Sequence, residues 1–163
     1  MASKATKPAA KKATGSVRTD PATKLLMADH KEVHAMFQQY KKLADADAEA
    51  SEREALATEI CHALTVHATI EEELFYPAAR EAEVDADLLD EAEVEHASAK
   101  ALIAQIEAMS PDDALYDAKV TVLGEYIDHH VKEEEAELLP KAEKKLSACG
   151  RQKMKAPSFG SRF

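Results

Sequence analysis

The sequence predicts an all-α protein: an up-down-up-down antiparallel four-helix bundle with flexible basic N- and C-terminal tails. Three observations carry that expectation. Ala, Glu, Lys and Leu dominate a chain of 163 residues with 4 glycines, no tryptophan and 5% aromatics, a helical rather than a β composition. Four amphipathic segments follow one another with short breaks, and short connections make neighbouring helices antiparallel. No alternating strand pattern competes with them.

The first segment runs from about Pro21 to Ala44, ahead of the acidic stretch Asp45-Ala46-Asp47-Ala48. The second begins at Ser51, where Ser51 and Glu54 spell a Ser-x-x-Glu capping box. It continues to about Arg80, with Pro77 as a kink or early stop. The third starts at Asp85 or Asp87 and ends near Met109. The fourth opens with Ser110 as N-cap, Pro111 at the first helical position, and Asp112 and Asp113 in the first turn. It runs to about Ala148, with Gly150 as a natural terminator. The organisation that follows is a disordered basic arm over 1–20, a helical domain over 21–149 and a tail over 150–163.

Charge separates these parts. The formal net charge is −10, yet residues 1–24 sum to +5 and residues 150–163 to +4, which leaves −19 for 25–149. So acidic a body repels nucleic acid, whereas the basic tails suit an anionic partner or simply solubilise the chain. No apolar run approaches the ~20 residues of a membrane span, and MASKATKPAAKKATGS has no apolar secretory core. Cys61 and Cys149 lie far apart and fit reduced thiols, so the expected location is cytoplasmic.

Helical phase identifies the residues that face inward, at about 100° per position. On the first helix His30 lies within the stripe Leu26, Val33, Phe37 and Tyr40, and His34 lies at its edge. On the second, His67 and Glu71 share the arc of Leu56, Ile60, Leu64 and Leu74, while His62 faces away with Glu72 and Glu73. On the third, His96 sits among Leu89, Ala92, Ala99 and Ile103, with Lys100 near the rim. On the fourth, His130 and Glu134 align with Tyr116, Val120, Leu123, Ile127, Val131 and Leu138, and His129 and Glu133 point away. Each helix thus offers one inward histidine, and two add an inward carboxylate. An unpaired buried carboxylate costs several kcal/mol. A cation at the centre removes that penalty. Two carboxylates able to bridge, with imidazoles at either end, suit a pair of cations, and mixed His/carboxylate ligation suits iron or manganese, with zinc also accommodated.

A repeated phrase supports the pairing. HATIEEELFYP at 67–77 and HVKEEEAELLP at 130–140 share a proline ten residues after the histidine, which aligns His67 with His130 and Glu71 with Glu134. Glu72, Glu73, Glu133 and Glu135 are then solvated or supporting groups.

The phrases LLMADHKEVHAMF, HATIEEELFYP, EVEHASAKALI and YIDHHVKEEEAELLP resemble the hemerythrin superfamily, in particular the hemerythrin-like HHE cation-binding domains. The resemblance spans roughly 25–147. It implies His30, His67, Glu71, His96, His130 and Glu134 as ligands of two non-haem iron ions, bridged by Glu71 and Glu134. Oxygen-carrying hemerythrins have a second histidine one turn after the third-helix ligand, where this chain has Lys100. They also use His-x-x-x-x-Asp on the fourth helix, where this chain has His130-x-x-x-Glu134. These departures argue against reversible oxygen carriage. They favour an open metal position that reacts with O2, peroxide or nitric oxide, whether for binding, sensing or turnover, unless His34 or Tyr126 completes the set. Iron storage or delivery ranks lower, because no Glu-x-x-His pair lies on the expected inner faces.

Overall fold

The computed structural model of the protein describes residues 21–149; the basic arm, the tail and Gly150 lie outside the described residues. Four helical rods make up the fold. The first is α1 (Pro21–Asp45). The second joins α2 (Ala50–Ile70) to α3 (Tyr76–Glu81) through one π-helical turn, Glu71–Phe75. The third is α4 (Ala86–Glu107). The fourth joins α5 (Tyr116–Glu133) to α6 (Leu139–Cys149) through a second π turn, Glu134–Leu138. α1 packs on α2 and α5, and α4 packs on the same two helices, so the rods close an antiparallel square. No described helix is long and apolar enough to cross a membrane.

Pro77 and Pro140 explain the two π turns. A proline cannot donate to the helix ladder, and its ring presses on the carbonyl four residues back. The wider turn ahead of each proline relieves that pressure: Tyr76 N–H reaches Glu71 O and Leu139 N–H reaches Glu134 O, five residues back. Pro77 therefore neither stops the helix nor ends the rod. Phase changes as well. Leu74, placed inward by uniform 100° steps, is 50% exposed, whereas Phe75 and Tyr76 are buried.

Two helix starts differ from expectation. α2 begins at Ala50 with Glu49 as its N-cap and no side-chain capping bond, so Ser51 and Glu54 form no capping box. The fourth rod begins at Tyr116, not near Pro111. Ser110 and Asp113 spend their hydrogen bonds on local turns: Ser110 N–H donates to Asp113 Oδ2 at 2.9 Å and Tyr116 N–H to the Asp113 carbonyl at 2.9 Å. Such short polar side chains offer the backbone an alternative to the helix.

α1 and α3 end alike. Ala48 N–H bonds to Leu43 O and Val84 N–H to Ala79 O, which closes a Schellman turn after each helix. The left-handed residue in each is not glycine but Asp47 (φ 53°) and Glu83 (φ 57°).

The apolar core comes in two parts. One holds Val33, Tyr40, Leu56, Ile60, Leu64, Ile103 and Leu123 among others, and the second holds Leu26, Phe75, Leu89, Ala92, Leu138 and Ala142. Every rod contributes to both, and on every rod the inward histidine lies between its two contributions. A polar layer is thereby held at one level between two hydrophobic plugs. Cys61 is a free, buried thiol in the first of them, and the side chain of Cys149 lies outside the described residues.

Candidate metal centre

The structure brings His30, His67, Glu71, His96, His130 and Glu134 together. All six are buried, and Thr23 is the only other buried polar or charged residue among the described residues. Two imidazole pairs mark the ends of the cluster: His30 Nε2 lies 3.1 Å from His67 Nε2, and His96 Nε2 lies 3.3 Å from His130 Nε2. The carboxylates lie between them. Glu71 Oε1 is 3.2 Å from His67 Nε2 and its Oε2 is 3.2 Å from His96 Nε2, so it spans both pairs. Glu134 Oε2 is 3.3 Å from His30 Nε2 and 3.9 Å from His130 Nε2. The ligand atoms fall into two groups of metal-binding dimensions, His30/His67/Glu71/Glu134 and Glu71/His96/His130, with Glu71 common to both.

Electrostatics describe the same arrangement. Burial alone would raise the pKa of Glu71, yet its contacts with His67 and His96 outweigh burial and hold it well below the usual carboxylate range. Glu134 is pushed upward, by burial first and then by the charge of Glu71. Burial would lower the pKa of His67, but Asp29 and Glu71 reverse that and raise it to about 10. Two carboxylates in one desolvated site cannot both ionise cheaply without positive charge. Both oxygens of Glu71 and Oε2 of Glu134 are buried with no hydrogen-bond partner. Buried polar atoms are satisfied in the great majority of cases, so three orphaned carboxylate oxygens facing four imidazoles fit a metal-ligand set.

The Nδ1 atoms complete the pattern. His67 Nδ1 lies 3.3 Å from Asp29, His96 Nδ1 2.9 Å from Glu72, His130 Nδ1 2.6 Å from Glu95 and His30 Nδ1 2.9 Å from Glu135. Each carboxylate thereby accepts from Nδ1 and leaves Nε2 as the ring atom that faces the centre, free to ligate once it carries no proton. The four contacts form a closed circuit: the first rod orients the second, the second the third, the third the fourth and the fourth the first. Each orienting residue is also the sequence neighbour of an inward ligand: Asp29 of His30, Glu72 of Glu71, Glu95 of His96 and Glu135 of Glu134.

A comparison with protein families matches residues 22–142 to the family described as hemerythrin HHE cation binding domain. The chain belongs to that family. No curated protein and no solved structure matches it. Within this HHE domain the residues suggested as extra ligands stay out of the cluster. His34 is exposed and pairs with Asp128 at 2.9 Å, and Tyr126 is 37% exposed. Lys100 reaches Glu72 at 2.7 Å and thus braces the carboxylate that orients His96. His129 faces away from the cluster, its side chain 63% exposed.

Sequence reasoning missed Tyr76. Its hydroxyl lies 3.3 Å from His96 Nε2 and 3.5 Å from Glu134 Oε1. Burial and the charges of Glu71 and Glu134 raise its pKa far above the ordinary tyrosine value, which keeps the phenol protonated. The repeated phrase carries a signal for it: Tyr76 precedes Pro77 where Leu139 precedes Pro140. One end of an otherwise quasi-symmetric HHE centre thus gains an O–H donor that its counterpart lacks.

Proposed function

We propose that this protein is a non-haem di-iron protein that binds or senses O2 or a related small oxidant such as peroxide or nitric oxide. The single observation behind this reading is the division of the six ligand side chains into two imidazole pairs with unsatisfied carboxylates between them. Cations held by His30, His67, Glu71 and Glu134 and by Glu71, His96 and His130 would give every orphaned oxygen a partner. His and carboxylate ligands together suit iron or manganese, and iron is what the resemblance to the hemerythrin superfamily implies. When bound, the metal pair supplies one-electron chemistry toward O2. The chain holds the ligands, orients them from Nδ1 and keeps water away with two apolar plugs. A cavity of about 30 Å³, walled by Val33, Leu64, Ile103 and Ile127, adjoins the imidazoles and has room for a small molecule.

Anaerobic loading of the metal-free protein with ferrous iron tests the reading. It predicts two irons retained per chain, visible charge-transfer absorption on admission of air, and loss of both in His67→Ala. A protein that retains no transition metal refutes it. The same cavity, with Lys100 at its mouth in place of a further imidazole, supports a second reading as an enzyme that turns over peroxide or nitric oxide. Sustained consumption of peroxide at catalytic protein concentration favours turnover, and stoichiometric oxidation without turnover favours binding or sensing.

A further inference from the structure

A second group of metal-binding dimensions lies outside the buried centre. Glu95, His129 and Glu133 bring one ligand atom each within 4.8 Å of one another, on the face where α4 meets α5. His129 Nε2 is 3.5 Å from Glu133 Oε1 and 3.8 Å from Glu95 Oε1. The spacing is that of an open site completed by water, and two carboxylates with one imidazole neutralise a divalent transition metal.

Its position gives it a purpose. A cleft of about 20 Å³ is bordered by Glu91, Glu95 and Glu133 and by the buried His130 and Glu134, with Leu88, Ala92 and Leu138 completing its wall. Glu134 is almost fully buried, and its Oε2 has no hydrogen-bond partner. Glu95 belongs to both levels: Oε1 faces His129, while Oε2 accepts from His130 Nδ1 at 2.6 Å. An ion held outside therefore stands one carboxylate away from a ligand of the centre, beside a cleft with four carboxylates among its lining residues. The strongly acidic body raises the local concentration of cations at such a site.

We propose that Glu95, His129 and Glu133 form a capture site for divalent transition-metal ions, which pass along this cleft to the buried centre. The inference rests on the reading of that centre as a metal site. The test uses full-length, metal-free protein and ferrous iron without oxygen, with unsheltered iron read by a ferrous chelator at timed quenches. Loading of the His129→Asn/Glu133→Gln variant slows about tenfold while the final chelator-resistant iron stays that of the unmodified chain. Glu125→Gln, an exposed acid on the same helix, removes the same charge and leaves the rate within about twofold, since a single surface charge changes the field little. Loading of the double variant at the unmodified rate, or equal slowing by Glu125→Gln, overturns the proposal.

Manganese titration followed by electron paramagnetic resonance separates this idea from the reading beneath it. The unmodified chain binds one more Mn(II) ion, more weakly, than the double variant, whatever the buried centre holds. Equal numbers overturn the capture site. An unmodified chain that keeps this weak ion but retains no metal in the centre refutes the di-iron reading and leaves the outer site as a cation site without a destination.

Discussion

Glu135→Gln and Glu135→Leu, taken together, measure what the orienting carboxylates contribute. His30 Nδ1 lies 2.9 Å from Glu135 Oε1, and the Glu135 side chain is 32% exposed. A hydrogen bond to a charged group contributes about 1.5–3 kcal/mol, and partial exposure moves this one to the low end. Glutamine keeps an oxygen that accepts from Nδ1, so the tautomer survives and only the negative charge is lost. The expected loss of metal affinity is about 1.4 kcal/mol, or tenfold. Leucine removes the acceptor as well. The ring is then free to turn or to place its proton on Nε2, and the loss grows to about a hundredfold, the upper range for an outer partner of a ligating histidine. Competition with a chelator of known affinity gives both numbers. The damage is expected in the group that contains His30 and His67, with the His96/His130 group retaining its ion. Equal losses for the two substitutions, or no loss for either, would refute orientation by the charged partner.

Three further outcomes follow from the geometry. In the metal-free protein His67 is raised from 6.5 to about 10, so its stabilising contribution is complete below pH 6.5 and disappears as pH climbs toward 10. Glu134, pushed upward, acts in the same sense. The Tm of chelator-stripped protein should therefore fall across that window, and a flat profile contradicts the charged cluster; loaded protein, with His67 held neutral by its ligand bond, should lack the slope. Glu83→Gly relieves a left-handed residue with φ 57° and should stabilise by about 1 kcal/mol, seen as a higher denaturant midpoint. An unchanged or lower midpoint would show that the turn is not strained. Tyr76→Phe removes a donor whose contacts are long, at 3.3 and 3.5 Å, so metal content and Tm should barely change. The rate of reaction of loaded protein with O2 should change, and an identical rate would assign the hydroxyl no part in the chemistry.

The cluster could be read from sequence because its residues break a rule. An ionisable side chain on an apolar stripe has to be explained, and all six predicted positions do lie in the buried layer. Residues whose signals have two meanings were harder to place. Ser-Pro-Asp-Asp spells both a helix start and a chain of turns, and the choice went to the turns through the local hydrogen bonds of Ser110 and Asp113. Leu74 was misplaced, and Tyr76 missed, for a different reason. Uniform helical phase cannot anticipate a π turn, although the prolines that accompany both turns were in plain view. Of the orienting carboxylates, Glu72 and Glu135 were legible only as members of the glutamate runs, and Asp29 and Glu95 carried no signal of their own. Glu72 and Glu135 differ from Glu73 and Glu133 by position relative to a neighbouring rod, and that relation exists only after packing.

The closed circuit of carboxylates also bears on how the bundle chooses its register. A rod that rotates or slides moves two imidazoles out of aim: its own, and the one on the next rod that its carboxylate steers. Because the circuit returns to its starting point, no such error can be absorbed at an edge. Compact but misthreaded arrangements of the four rods can still bury leucine and isoleucine nearly as well, since apolar contact is tolerant of direction. They cannot offer two complete ligand sets. Any ion that binds the centre will therefore draw the population toward the one arrangement in which all four rods are correctly turned, and so act as an arbiter of topology.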